Sequence, residues 1–222
     1  MTDRVRRVWA LAMNTYREAV RARILLGLFG LALATALYSI AVGEFALKNA
    51  PRVVADLGAA SVSLYAIVVA VVIGATSLYR EIEQKTIFPV LTRPLRRAEY
   101  IAGKYAGTVL TLAVFIASDA AVVLLILARH GGRSFAVLGA AVAFLIVIPI
   151  AVGWRVARWR TILPIPWALV SLLVAAWLAS GAGDDRRVVL AASALAFLEV
   201  MIVSGIATLF SAFSSPFLSA VF

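Results

Sequence analysis

Six apolar runs, each about as long as a membrane is thick, constrain this chain more than any other feature. About 20 apolar residues in a helix cross a hydrocarbon core of roughly 30 Å. The runs lie at residues 24–42, 59–79, 105–128, 135–153, 162–180 and 188–210. With 64% hydrophobic and 14% charged residues, a chain of 222 residues has more apolar surface than one soluble core can bury. We therefore predict an all-α fold, a polytopic transmembrane helical bundle forming one domain over residues 1–222.

The segment before the first run, residues 3–23, has the pattern of an amphipathic helix. Its apolar side chains recur at spacings of three and four, and polar side chains occupy the opposite side. The apolar positions are Val5, Val8, Trp9, Ala12, Tyr16 and Val20. Six arginines make the polar face basic, which is typical of a helix lying along a membrane surface. The alternative is a soluble helix packed on a partner.

The net charge of +10 is distributed in a way that indicates orientation in a membrane. The basic residues lie in the segments next to the apolar runs, which argues against a nucleic-acid-binding face. With the N-terminus inside, the N-terminal helix, segment 80–104 and link 154–160 hold fifteen basic residues, and the outer polar loops 44–58, 129–134 and 184–187 hold six. This bias follows the positive-inside rule. We expect a multi-pass protein of the cell membrane with a cytoplasmic N-terminus, and no nucleic-acid partner.

Segment 80–104, between the second and third runs, is a long charged interval. It holds six basic and three acidic side chains and two prolines. We expect the second span to continue as a helix to residue 85. We expect a short helix to cover residues 87–92 and the next long helix to start at residue 96. A short helix edged by charge between two spans suits docking of a soluble cytoplasmic motor protein.

The residues of this segment resemble the permease subunits of ABC-2 type ABC transporters. The family pattern is an E-x-E run, a Thr-hydrophobic pair, a proline, an arginine, an aromatic residue, and Gly-Lys entering the third span. The matching residues are Glu81, Glu83, Thr86, Ile87, Leu91, Pro94, Arg97, Tyr100, Gly103 and Lys104. The N-terminal helix is similar to the family's interface helix, and residues 199–215 resemble its span with a serine-rich inner turn. The subgroup it resembles most comprises permeases grouped with multicopper-enzyme maturation transporters.

The resemblance implies the membrane-spanning half of an ATP-driven transporter. Export is the direction of transport that the family implies. Two permease subunits would pair as a homodimer or heterodimer, and separate ATPase subunits holding ATP and Mg²⁺ would dock on segment 80–104. The hairpin 135–180 departs from the family, because it adds two spans. Residues 217–222 begin a new apolar run, and we expect further spans beyond it; the alternative is a short tail at the membrane surface.

The Gly103-Lys104 pair does not form a phosphate-binding loop. That motif needs a glycine five residues before Gly103 and a serine or threonine after Lys104, whereas Ala98 and Tyr105 stand there. We therefore expect no enzymatic activity, bound cofactor or metal in this chain. Gly103 and Gly107 also match a spacing that packs helices in membranes, although at the end of a span.

Asp119 and Glu199 lie well inside apolar runs. A carboxylate near the bilayer centre costs roughly 2.5–3.5 kcal/mol of insertion free energy. We therefore expect each of these two acids to have a functional or structural role. One hypothesis is a polar translocation path; the other is a protonated carboxyl bonded to a neighbouring helix, for example to Thr111 or Ser204. Two alternative functions remain: an intramembrane enzyme using Asp119 or Glu199, and a non-transporting membrane anchor or assembly factor.

Overall fold

The computed structural model describes residues 2–46, 49–83, 97–156 and 159–211, and these form seven α-helices without strands. We label them in chain order α1 (Thr2–Arg21), α2 (Arg23–Phe45), α3 (Ala50–Glu83), α4 (Arg97–His130), α5 (Phe135–Arg155), α6 (Pro164–Leu178) and α7 (Asp184–Phe210). A short 3-10 helix, Ala179–Ala182, extends α6. Helices α2 to α5, α6 together with its 3-10 extension, and α7 are each long and apolar enough to cross a membrane. The all-α polytopic fold predicted from the apolar runs is confirmed.

Two stretches predicted to be loops are helical. Residues 50–58, expected to belong to a polar loop, form the start of α3, where Pro51 is tolerated because the first turn needs no N–H donor. Residues 184–187, expected to form a polar turn, are the first turn of α7. Asp184 and Asp185 are favourable there because the N-terminus of a helix carries partial positive charge. The reversal before α7 falls instead on Gly183, whose φ of 58° favours glycine.

Helices α3 and α4 are longer than a bilayer requires. Each has 34 residues, which corresponds to about 50 Å of helix, against roughly 30 Å of hydrocarbon. The polar residues 80–83 and 97–104 are therefore helical extensions of two spans. This agrees with the predicted continuation of the second span and start of the third.

The chain divides into two compact units. The first contains described residues of 1–25, 66–112 and 198–211: helix α1, the C-terminal half of α3, the N-terminal part of α4 and the second half of α7. The second contains described residues of 26–65 and 113–197, including α5 and α6. In the second unit, Gly58 allows α3 to approach Val123 of α4 closely, and the Tyr65 hydroxyl lies 2.7 Å from that of Thr35.

Helix α1 buries part of its predicted apolar face within the protein. Its buried side chains are Ala12, Thr15, Tyr16 and Ala19. Val5 and Trp9, which were expected on the same apolar face, are 65% and 59% exposed. Ala12 and Tyr16 are thus buried against a neighbouring helix of the same unit, whereas the N-terminal end of the predicted face stays at the surface. The exposed Val5 and Trp9 leave an apolar edge suited to a membrane surface.

Candidate functional site

Helix α1 packs directly against the first turns of α4. A Cβ atom added to Gly103 would come within 2.6 Å of the Leu11 Cβ, and one added to Gly107 within 2.5 Å of the Ala12 carbonyl oxygen. Real side chains do not tolerate such distances, so both glycines are required by the close approach of the two backbones. The Gly-x-x-x-Gly spacing seen in the sequence is therefore a helix-packing surface, and its partner is α1.

One turn before Gly103, an acidic residue that the sequence analysis did not select joins the same two helices. The Glu99 carboxylate lies 3.8 Å from the Nε of Arg4 and 3.8 Å from the Nε of Arg7. Its side chain is only 11% exposed. Near the start of α1, Arg4 and Arg7 contact Glu99 of α4. Further along α1, Leu11 lies at Gly103 and Ala12 at Gly107. Because the contacts advance together along both helices, α1 and α4 run in the same direction. We call these contacts the α1–α4 clamp.

The signal that could have identified Glu99 was present in the sequence. It stands four residues before Gly103, and thus on the same face of one helix. A single acid on the glycine face of α4, opposite a helix with arginines near its start, is the expected partner for those arginines. The inference needed the pairing of α1 with α4, which the sequence pattern does not provide.

Two residues of the predicted coupling motif, Tyr100 and Lys104, are buried in the same part of α4. Tyr100 is 9% exposed and Lys104 is 4% exposed. The Lys104 ammonium lies 5.9 Å from the centroid of the Tyr100 ring, within the range of a cation–π interaction. A lysine this buried next to an aromatic ring contributes to the packing of the first unit.

Helix α7 holds both helices that flank segment 80–104. The Tyr105 hydroxyl of α4 donates a hydrogen bond to the Met201 carbonyl at 3.0 Å. After the end of α7, the Ser211 hydroxyl donates to the Ala75 carbonyl of α3 at 2.9 Å. Gly74 allows the close approach of α3, because a Cβ there would lie 2.6 Å from that of Ala207. The end of α3 and the start of α4 are therefore both packed in the first unit.

The other predicted coupling residues are only partly described. Glu81 and Glu83 lie in the last turn of α3, and Arg97 is the first residue of α4. Thr86, Ile87, Leu91 and Pro94 lie outside the described residues. The structure thus brings together the matched residues at the C-terminal end of segment 80–104, which we call its exit. The coupling roles assigned to the matched residues stay predictions.

Tyr16 is a fully buried residue of α1 whose hydroxyl has no hydrogen-bond partner among the described residues. Burial raises the pKa of Tyr16 to about 12, because the phenolate would lose its hydration. The side chain is neutral at physiological pH, so it contributes packing and no charge to the first unit.

Asp119 and Glu199, the two acids of the predicted translocation path, have different surroundings. Asp119 is 0% exposed, and neither of its carboxyl oxygens has a hydrogen-bond partner in the described part of the chain. Glu199 is exposed on α7. Asp119 belongs to the second unit and Glu199 to the first.

The hydroxyls named as alternative partners for these acids bond within their own helices. Thr111 donates to the Gly107 carbonyl, and Ser204 donates to the Met201 carbonyl. Among the described residues, the carboxyl of Asp119 thus has no compensating partner, and such a buried polar group in a native protein calls for an explanation in function or strain.

The arrangement can act mechanically: the clamp, the second half of α7 and the described ends of the charged segment belong to one packed unit. Comparison with known proteins adds no independent guide to the chemistry. No protein-family model, curated protein or solved structure matches this chain.

Proposed function

We propose that this chain is the membrane-spanning permease subunit of an ATP-driven ABC transporter, an exporter. In this proposal a separate ATPase subunit, which binds ATP and Mg²⁺, docks on segment 80–104. A second permease subunit, identical or different, completes the transport path. The N-terminus is cytoplasmic and the protein resides in the cell membrane.

The observation that carries the proposal is the α1–α4 clamp beside the charged segment. A soluble motor that pulls on a segment between two spans moves the membrane helices only if that segment's ends are rigidly attached. The glycine contacts at Gly103 and Gly107 and the Glu99 ion pairs attach the exit of the segment to α1. The Ser211 and Tyr105 hydrogen bonds attach its entry and exit to α7.

The direct test is affinity purification of the full chain from its own membranes in mild detergent, with mass spectrometry of the proteins retained. We expect a stoichiometric soluble ATPase. The double reversal Glu81→Lys with Glu83→Lys should release at least about nine-tenths of the ATPase. Each change places a positive charge opposite a partner surface that is complementary to a carboxylate, so the two surfaces repel each other. The chain itself should remain in the membrane at its normal level.

The matched control is the double reversal Glu44→Lys with Asp56→Lys. These two acids are exposed and lie near the loop between α2 and α3, which the proposal places on the opposite side of the membrane. The control should retain the ATPase. Full retention of the ATPase by the Glu81 and Glu83 variant contradicts docking at this segment, and absence of any ATPase from the folded wild-type chain favours a membrane anchor.

Asp119→Asn is expected to leave insertion and assembly intact and to change transport rate or specificity by severalfold. The amide keeps the volume of the carboxyl but removes its ability to ionise or to bind a cation. The measurement is the transport-linked ATPase rate of the reconstituted complex, with melting temperature as the assembly readout. Ser193→Ala is the control, because this buried hydroxyl already bonds to the Val189 carbonyl of its own helix. Loss of expression in Asp119→Asn alone would assign the carboxyl a purely structural role.

A further inference from the structure

We propose that a groove in the second unit binds one anionic phospholipid, with an acyl chain along the groove and the headgroup at Arg160. The proposal concerns the α5–α6 hairpin, which the transport function does not use. It stands on contacts within the second unit and does not depend on the proposed transporter.

The groove is a cavity of about 380 Å³. Its walls come from α5, the link that follows α5, and α6, with one residue from α4. The apolar lining includes Pro149, Ile150, Leu163 and Trp167, whereas Arg160 is the only charged residue among the described residues of the lining. An apolar groove with a cation among its described residues is complementary to an acyl chain joined to an anionic group.

The groove wall is held in place by a hydrogen bond that depends on a proline. Pro149 lies inside α5 and has no N–H to donate to the carbonyl four residues before it. That carbonyl, of Leu145, instead accepts a hydrogen bond from the Trp167 indole at 2.9 Å. The Trp167 ring also packs on Phe144, with ring centroids 5.6 Å apart. The indole therefore bridges α5 and α6, and the groove is formed before any ligand enters.

Arg160 is oriented by the end of α5. Its Nε donates a hydrogen bond to the Gly153 carbonyl at 2.7 Å. The arginine stem packs beside Gly153, where a Cβ would lie at an ordinary contact distance of 3.5 Å from the Arg160 Cγ. Arg160 itself is exposed. One edge of the guanidinium is thus held by the backbone, and the planar fork remains suited to two phosphate oxygens.

The surroundings favour an anionic lipid over a zwitterionic one. Residues 135–182 contain three arginines, at 155, 158 and 160, and no aspartate or glutamate. Trp154 and Trp159 beside them are 83% and 50% exposed, as expected for tryptophans at the level of lipid headgroups. Basic residues at a membrane surface attract anionic lipid by about 1 kcal/mol each. The apolar groove and the cation together match a bilayer phospholipid rather than free phosphate, which has no chain to bury.

The test uses Trp167 as a fluorescent reporter of bound lipid. The other four tryptophans, at 9, 154, 159 and 177, are at least half exposed and are replaced with phenylalanine in the full chain. Vesicles contain mixtures of ordinary phosphatidylcholine with brominated phosphatidylglycerol or brominated phosphatidylcholine, whose acyl chains quench a tryptophan on contact. We expect brominated phosphatidylglycerol to bind about fivefold more tightly, which corresponds to ~1 kcal/mol for one basic residue.

Two variants distinguish the site from general attraction to the membrane. Arg160→Gln should reduce the preference to about one, and Arg160→Lys should keep most of it. The charge-matched control is Arg187→Gln, since Arg187 pairs with Asp184 in the first turn of α7; it should keep the full preference.

Equal affinity for the two brominated lipids overturns the proposal, as does a preference that Arg160→Gln leaves intact. Lack of quenching by both lipids also overturns it, because it shows that protein, such as a helix of a second copy, covers the groove. Circular dichroism in the same vesicles verifies that each variant retains its helices.

Discussion

Gly107→Ala should lower the stability of the purified chain by about 1–3 kcal/mol, although alanine is the better helix former. The added methyl would meet the Ala12 carbonyl of α1 at 2.5 Å, and a backbone oxygen cannot turn aside as a flexible side chain can. Helix α1 must therefore move away from α4. In thermal unfolding in detergent, we expect a fall in melting temperature on the order of 5 °C.

The matched control is the same substitution at Gly139 of α5. A Cβ atom there meets nothing within 4 Å, so the change adds helix propensity without a clash. Gly139→Ala should leave the melting temperature unchanged or raise it, because alanine is favoured over glycine by about 1 kcal/mol in a helix. A fall of equal size in both variants would show that the α1–α4 contact is not specifically affected.

Glu99→Lys should release the N-terminal part of α1 from α4 and abolish the response of the proposed ATPase. The change replaces two attractive pairs, to Arg4 and Arg7, with like charges about 4 Å apart. Each pair is worth only about 1 kcal/mol because the arginines are half exposed, but the reversal changes the sign of both. Hydrogen exchange of the amides of α1 measures the release directly, and ATPase rate measures its functional consequence.

A charge exchange shows whether the contact itself is responsible. Glu99→Lys combined with Arg4→Glu and Arg7→Glu restores attraction, so protection of the α1 amides should return. Glu18→Lys is the control, because Glu18 is an exposed acid of α1 that bonds Asn14 of the same helix. If Glu99→Lys leaves hydrogen exchange in α1 unchanged, the ion pairs do not hold the clamp. If Glu99→Lys increases exchange in α1 but the ATPase response persists, the clamp has no part in coupling.

The proposed transport function and the lipid groove use different parts of the chain. The proposed coupling uses α1, the second half of α7 and the described ends of the charged segment, all in the first unit. The lipid site depends on the α5–α6 hairpin in the second unit, which is also the part that departs from the resembled family. Variants of Arg160 should therefore leave ATPase retention unchanged, and variants of Glu81 and Glu83 should leave lipid preference unchanged.

The sequence predicted the six spans well because the apolar runs are long and the bilayer thickness sets a fixed length for each. It misplaced two helix starts, at Ala50 and Asp184, for a local reason. Polar residues, proline and acids are all compatible with the first turn of a helix, so a change in hydropathy marks the edge of the membrane and not the end of the helix.

The candidate site was only partly predictable. The Gly103 and Gly107 spacing indicated close packing, and the arginines of α1 indicated a basic face, but nothing in either pattern identified the other as its partner. Glu99 was missed for the same reason. The two intramembrane acids looked alike in sequence, yet Asp119 is fully buried and Glu199 is exposed.

By itself the sequence determined the number of spans, their approximate limits and the charged segment between the second and third. These are properties of single segments, set by hydrophobicity and by the requirement that backbone hydrogen bonds in lipid be satisfied within a helix. Only the tertiary structure decided which faces meet: α1 on the glycines of α4, and the Trp167 indole on the carbonyl freed by Pro149. Helix contacts in a membrane depend on close fit between particular side chains rather than on hydrophobicity, and a pattern of apolar residues does not specify that fit.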